Sequence, residues 1–353
     1  MVDYIIVGLG LAGTSFAEQL LADNKSFVVF DDDSQQSSVV AGGLYNPVIL
    51  KRFTKVWRAH EQLKKAKPFY ARLESKLDMR FDYKVPVYRR FASVEEQNLW
   101  FDASDKPLLE DFLSTKIIQK DHSCIEATYG YGEVLGTGRI DTESLVKAYT
   151  KYLNSRGLLI REKFNYELLE LSENYIEYKD LKAKHIVFCD GFGLKKNPFF
   201  NYLPLNGTKG ELLTIHAPAL KINFVLKSSV FLIPIGEDLY RVGATYEWHD
   251  KTNEVTEKAR QELLSKMETF IKCNYKVVDQ KAGIRPTVTD RRPLVGQHPE
   301  YKNLYILNGM GSRGVMIAPD ASEQLYQFIT HQSELDEEMN IRRFDKKYKS
   351  LNQ

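Results

Sequence analysis

Tyr4-Ile5-Ile6-Val7-Gly8-Leu9-Gly10-Leu11-Ala12-Gly13 is the stretch on which the fold of this chain turns. Its unbroken apolar start is the pattern of a parallel strand buried on both faces, and the run stops in a glycine cluster. From Thr14 the residues Phe16, Ala17, Leu20 and Leu21 recur at helical spacing, Asp23-Asn24 closes the helix, and Phe27-Val28-Val29-Phe30 is a second strand. A bare GxGxxG is a weak motif. Here it leaves a strand, opens a helix and is followed by Asp31, eighteen positions beyond Gly13, which is the setting in which it binds a dinucleotide. Gly8 permits the tight turn, Gly10 lets the backbone approach a pyrophosphate, and Gly13 lets helix and strand pack closely. The helix start, with Leu11 and Ala12 in its first turn, offers unpaired N–H groups to phosphate. Asp31, with Asp32 beside it, is placed to accept hydrogen bonds from ribose hydroxyls and repels a 2′-phosphate, which disfavours NADP. FAD and NAD are not separated by this motif.

Composition sets the outer bounds. The chain has 353 residues, 43% of them hydrophobic and 27% charged, enough to bury a core and to make roughly two domains. Forty-nine Lys and Arg against 47 Asp and Glu leave a net charge of +2, which neither implies nor excludes nucleic acid. Cys124, Cys189 and Cys273 form no CxxC and no cluster with histidines, so no metal site and no disulfide framework is expected. The apolar run Tyr4 to Ala12 is shorter than the roughly 20 residues that a membrane span needs, and no basic stretch precedes it. A cytoplasmic protein without membrane attachment is the resulting expectation.

Further along, residues 55–76 have helical spacing interrupted at Pro68, where a kink or break is expected. Thr142 to Asn154 reads as a helix capped by Asp141 and closed at Gly157, and His185 to Cys189 as a strand running into Asp190-Gly191. Gly210 to Thr245 alternates short apolar runs with Pro218, Pro234 and Gly236, the pattern of an antiparallel sheet. Glu257 to Ile271 is helical again. A strand at Leu304 to Leu307, the loop Gly309-Met310-Gly311-Ser312-Arg313-Gly314 and a helix near Ser322 to Thr330 follow. The two kinds of structure are interleaved, so two discontinuous domains are expected.

Several motifs occur together in an order that resembles the D-amino-acid oxidase and glycine oxidase family of FAD enzymes. They are Ser38-Val39-Val40-Ala41-Gly42-Gly43, Phe231-Leu232-Ile233-Pro234 with Gly243-Ala244-Thr245, Gly283-Ile284-Arg285-Pro286 with Asp290 and Pro293 to Gly296, and Gly309 to Gly314. The resemblance covers nearly the whole chain. It implies an α/β fold: a Rossmann-like FAD-binding domain (residues 1–60, 136–206 and 283–353) and an α+β substrate domain built on an antiparallel sheet (61–135 and 207–282). It also implies oxidation of a C–N bond in a small amine or amino acid, with hydride passing to flavin N5 and dioxygen as the usual acceptor. The chemistry belongs to the cofactor, and the protein positions the substrate and stabilises charge.

By the same resemblance Arg285 holds a substrate carboxylate, for which a guanidinium fork is well shaped. The cofactor set it implies adds Ser38, Ala41, Gly42, Gly43, Phe164, Asp190, Gly191, Gly283 and Arg285 to the fingerprint residues. Gly309, Gly311, Ser312, Arg313, Gly314 and Val315 form the loop and helix start that face the flavin where charge develops on reduction. Phe164 falls where the family binds adenine through the main chain of a short strand. Asp190 departs from the family's small-residue turn.

Two departures bear on substrate. Phe231 stands where a carboxylate-binding tyrosine is usual, and Tyr246 where a methionine is; Tyr246 either restores a donor or packs on the ring. The Gly311-Ser312-Arg313-Gly314 loop followed by Ala318-Pro319 is similar to the oxidase half of the bacterial enzyme that matures 5-methylaminomethyl-2-thiouridine in tRNA, which makes tRNA an alternative partner. Seven basic residues between Lys51 and Lys67 could support such a partner, although a solvated helix face is the usual explanation, and the acidic stretch Glu334 to Glu338 partly offsets the basic tail. A flavoprotein in which FAD is structural or a signal is a further alternative.

Overall fold

The computed structural model describes residues 1–120 and 122–351. Val2–Val7 lies at the centre of a sheet, between Phe27–Phe30 and Leu181–Phe188, both parallel to it. Leu159–Ile160 and Leu304–Asn308 extend the parallel set outward, and Leu169–Leu171 with Ile176–Tyr178 adds an antiparallel flank. Alternate residues of the first strand serve opposite faces. Tyr4 and Ile6 pack under the helices Leu11–Ala22 and Gly314–His331, whereas Ile5 and Val7 enter an aromatic cluster with Phe30, Phe164, Tyr178 and Phe188.

The second sheet has eight strands. Lys276–Arg285, Thr208–His216, Leu239–Gly243 and Phe231–Gly236 run antiparallel in that order; the sequence pattern predicts antiparallel strands over Gly210 to Thr245 but not the strand Lys276–Arg285. Val225–Lys227 then pairs in parallel with Val87–Arg90, an arrangement that the local pattern does not reveal. Helix Glu257–Glu268 covers the outer face. The inner face carries Val225, Phe231 and Ile233 into the same apolar core as Ile6 and Phe16, so the two sheets are joined by one continuous core.

Two elements differ from expectation. Ala59–Leu77 is one uninterrupted helix; Pro68 and Lys64 are both exposed, so the carbonyl deprived of its partner lies on the water side. This helix packs on Gly314–His331, with Lys65 bonded to Glu323 at 2.5 Å. The long C-terminal helix begins at Gly314, eight residues before the expected Ser322. Pro319 is tolerated inside it because the Val315 carbonyl, which Pro319 cannot reach with an N–H, accepts the Tyr70 hydroxyl at 2.9 Å. Among the described residues, no helix is long and apolar enough to cross a membrane.

Candidate functional site

Three segments far apart in sequence meet beyond the ends of the parallel strands. The first is the glycine turn. A Cβ on Gly13 would sit 2.0 Å from the Gly8 carbonyl oxygen, so only glycine lets helix and turn approach this closely. Asp31 accepts the Leu9 N–H at 2.9 Å and the Asp33 N–H at 3.3 Å, and burial holds its carboxyl above the usual carboxylate range. Asp32 is exposed and braces the same turn by accepting the Ser34 N–H at 3.0 Å. Ser38 Oγ takes the Leu11 N–H at 3.1 Å, which ties the short helix Ser37–Val40 to the helix start and lies across from Gly10. The N–H groups of Ala12 and Gly13 have no intrahelical partner.

The second segment is Asp190-Gly191. Asp190 is buried and accepts from Asn308 Nδ2 at 2.8 Å, Asn197 Nδ2 at 3.1 Å and the Tyr166 hydroxyl at 3.2 Å. Desolvation lifts its carboxyl to about 6 against those three bonds. This network explains the acid that looked out of place in the sequence: it joins the turn after the strand Leu181–Phe188 to Asn308. Asn308 also reaches the Gly191 carbonyl at 2.9 Å, and its own Oδ1 accepts the Gly309 N–H at 2.7 Å. Cys189 is buried, and burial pushes its thiol far up, consistent with an inert residue.

The third segment is the loop Gly309 to Gly314. Its Gly311 N–H donates to the Pro286 carbonyl at 3.1 Å, and Gly314 lies against Leu11 of the fingerprint. Arg313 occupies the cap position of the long helix without capping it through its side chain. Ser312 is exposed and Val315 buried.

Above these segments stands the inner face of the second sheet. Arg285 ends the strand Lys276–Arg285, and its guanidinium fills the space where a Cβ on Gly210 would be, 1.9 Å from Nη2. It donates to the carbonyls of Thr245 at 3.2 Å and Lys209 at 3.4 Å. Tyr246 lies with its ring 4.5 Å from the guanidinium carbon and is 59% exposed, so the structure brings these two together at the rim. Gly283 packs on Ser37 and Val40, joining the Arg285 strand to the short helix. Phe231 sits further in, against Gly42 and Gly243. Ala41 holds the sheets together, its carbonyl accepting Arg241 Nη1 at 3.2 Å and Thr142 Oγ1 at 3.3 Å, and Gly43 pairs with Ile140.

Phe164 is the exception. It lies in the irregular stretch between Ile160 and Tyr166 rather than in a short strand, and its ring stacks on Tyr178 at 4.2 Å. Sequence reasoning also passed over Lys227, Arg291 and Trp248. Lys227 shares the inner face with Val225, is placed over the Phe231 ring at 5.5 Å, and is pushed down to about 8 by burial. Alternation along Val225–Lys227 was the available signal. Arg291 covers the Trp248 ring at 5.5 Å beside Tyr246, and nothing local in the sequence marks that pair.

A family model described as FAD dependent oxidoreductase matches residues 3–326. The glycine oxidase of Bacillus subtilis (strain 168) is 22% identical, over 97% of this chain and 97% of its own length. The bifunctional tRNA 5-methylaminomethyl-2-thiouridine biosynthesis protein of Campylobacter jejuni subsp. doylei is 23% identical over 93% of this chain, which spans 55% of that relative's length. Among solved structures, iminodiacetate oxidase from Chelativorans sp. BNC1 superposes with a TM-score of 0.79 at 17% identity, covering 97% of this chain and 98% of its own. Glycine oxidase from Bacillus cereus ATCC 14579 gives 0.78 at 19% identity, with 95% and 96% covered.

The cradle fits an FAD. Thr14 Oγ1 and Ser15 Oγ, early in the fingerprint helix, are buried with no hydrogen-bond partner among the described residues. The free N–H groups of Ala12 and Gly13 beside them are suited to a pyrophosphate. Asp31 keeps acceptor capacity beyond its two backbone bonds.

Proposed function

Because the chain belongs to the FAD dependent oxidoreductase family, we propose that it oxidises the C–N bond of a small amino acid or carboxylate-bearing secondary amine. FAD, when bound, supplies the hydride acceptor. The observation that carries the reading is Arg285: desolvation presses its guanidinium below the usual arginine range, and among the described residues it makes no salt bridge, only bonds to two carbonyls. A buried cation without a counterion is costly, and a substrate carboxylate relieves that cost. Gly210 leaves the room for the guanidinium, and Tyr246 limits its movement from the rim.

Phe231 supplies an apolar wall where a hydroxyl would otherwise help to grip the carboxylate. Arg285 therefore bears most of that task. Gly8, Gly10, Gly13 and Asp31 hold the adenine-nucleotide half of the cofactor, and the Gly309 to Val315 segment directs a helix N-terminus at the flavin. Dioxygen is the proposed terminal acceptor.

A second reading rests on the exposed pair Tyr246 and Trp248, 59% and 44% exposed, with Arg291 over the latter. Flat rings beside a cation suit a stacked base, which favours a carboxymethylaminomethyl-modified tRNA base as substrate. One anaerobic screen tests both. The FAD-loaded protein is mixed with glycine, sarcosine, D-amino acids, other secondary amines and modified tRNA while the flavin absorbance near 450 nm is followed. Bleaching by a free amine supports the first reading, and bleaching by the tRNA alone supports the second. An unchanged spectrum with the whole panel overturns both and leaves FAD in a structural or signalling role.

A further inference from the structure

Lys209 is the one lysine buried among the described residues, 1% exposed in the strand Thr208–His216. Successive residues of a strand face opposite ways, so Gly210 lies on the inner side under Arg285 while Lys209 points behind the sheet. There its ammonium meets Asp250 at 2.5 Å and Thr252 Oγ1 at 3.4 Å, with Glu211 at 3.8 Å. Glu211 is already engaged, accepting from the N–H and hydroxyl of Thr256 and from Gln280 Nε2, each at 2.8 Å. The close counterion of Lys209 therefore comes from the irregular segment 246–255. The main chain of Lys209 holds the same segment: its N–H donates to the Glu247 carbonyl at 2.9 Å, and its carbonyl accepts the Glu247 N–H at 3.0 Å. That carbonyl also accepts Arg285 Nη1 at 3.4 Å.

Apolar burial does little to fix this segment, because Tyr246, Trp248 and Val255 are 59%, 44% and 49% exposed. Polar bonds hold it instead, and towards its far end Asn253 Nδ2 donates to the Ser34 carbonyl at 3.3 Å, just beyond the Asp31 to Asp33 turn. An ammonium fully out of water is costly unless paired, so Lys209 and Asp250 are bound to each other's position and loss of the pair releases the segment. We propose that Lys209 is a positioning residue for the carboxylate site: through Asp250 it fixes the segment that carries Tyr246 over Arg285. It acts from behind the sheet, without contact to the substrate. The inference rests on the carboxylate-site reading above and deepens it.

The test uses (methylthio)acetate, a carboxylate without an oxidisable amine, titrated by calorimetry into the FAD-loaded protein. Lys209→Met fills the same space without charge, and an apolar side chain in place of a buried ion preserves the fold. The variant is expected to bind the probe about tenfold more weakly, the size of a coupling within one network. Amide exchange speeds up in residues 246–255, while FAD content stays as in the wild type. Asp250→Asn weakens the probe to a similar degree, and the double variant goes no further than the single ones, because all three lose the same pair. Unchanged affinity in Lys209→Met overturns the inference and leaves the carboxylate site standing, as do losses that add in the double variant. FAD and probe lost together with a lower melting temperature also overturn it, by making Lys209 a part of the general framework. If Lys209→Met does not fold, Asp250→Asn decides alone by the same split between probe and FAD. Failure of the probe to bind the wild type overturns the carboxylate site itself.

Discussion

At the scale of a residue, Asp190 has the clearest thermodynamic signature. Its carboxyl is raised from the ordinary 3.8 to about 6, so the folded chain binds that proton more readily than the unfolded one. Stability from this group therefore falls as pH rises from about 4 to about 6 and stays at its lower level above that. His185 slopes the other way: burial pushes its imidazole from 6.5 to about 4, so its contribution improves over the same interval. A variant comparison isolates the acid. Asp190→Asn sets an amide against donors from Asn197, Asn308 and Tyr166, and is expected to lower stability by about 1–3 kcal/mol at pH 4. The gap between wild type and variant should narrow by pH 7, read from thermal melts across the range; a gap that widens with pH contradicts the assignment. Arg285 was legible in the sequence because its motif has a shape. Asp190 was not, because its partners come from three separate segments.

At the scale of elements, the start of the long C-terminal helix shows why boundaries were harder to read than elements. The local pattern places this helix near Ser322 to Thr330, and the Tyr70 hydroxyl, from a helix some 245 positions away in sequence, supports the earlier turn. Tyr70→Phe leaves the buried Val315 carbonyl without its donor, at a cost of about 1–3 kcal/mol. Amide exchange should then accelerate around Gly314 to Ile317 more than in the strand Val2–Val7; uniform acceleration would point to a global effect instead. By contrast, the strand, turn and helix of the fingerprint could be read correctly, since their periods and glycines are local. The continuity of Ala59–Leu77 could not, because propensity records the missing N–H of Pro68 and not the water that satisfies the freed carbonyl.

At the scale of the molecule, charge is organised by pairing across long separations. The basic stretch Lys51 to Lys67 meets the acidic segment near residue 336: Arg58 bonds Asp336 at 2.8 Å, and Trp57 and Arg292 both bond Glu338. That segment therefore neutralises part of the basic stretch, where the sequence had suggested the tail, while Lys64 and Lys67 lie exposed on the helix Ala59–Leu77. The cofactor has a global role as well. The cradle proposed for it takes residues from the fingerprint, the Asp190 turn and the C-terminal loop, so removal of FAD should lower the melting temperature in a way that added FAD reverses. The linkage is worth about 2.7 kcal/mol at a hundredfold excess over the dissociation constant. Identical melts with and without FAD would place the cofactor outside this cradle.

The central claim is that hydride leaves the carbon next to the substrate nitrogen while Arg285 holds its carboxylate. The most direct measurement is the anaerobic rate of flavin bleaching by the best amine of the screen, with hydrogen and then deuterium on that carbon. Slower bleaching with deuterium is the expected result. Identical rates, or no bleaching by any carboxylate-bearing amine, would contradict the account.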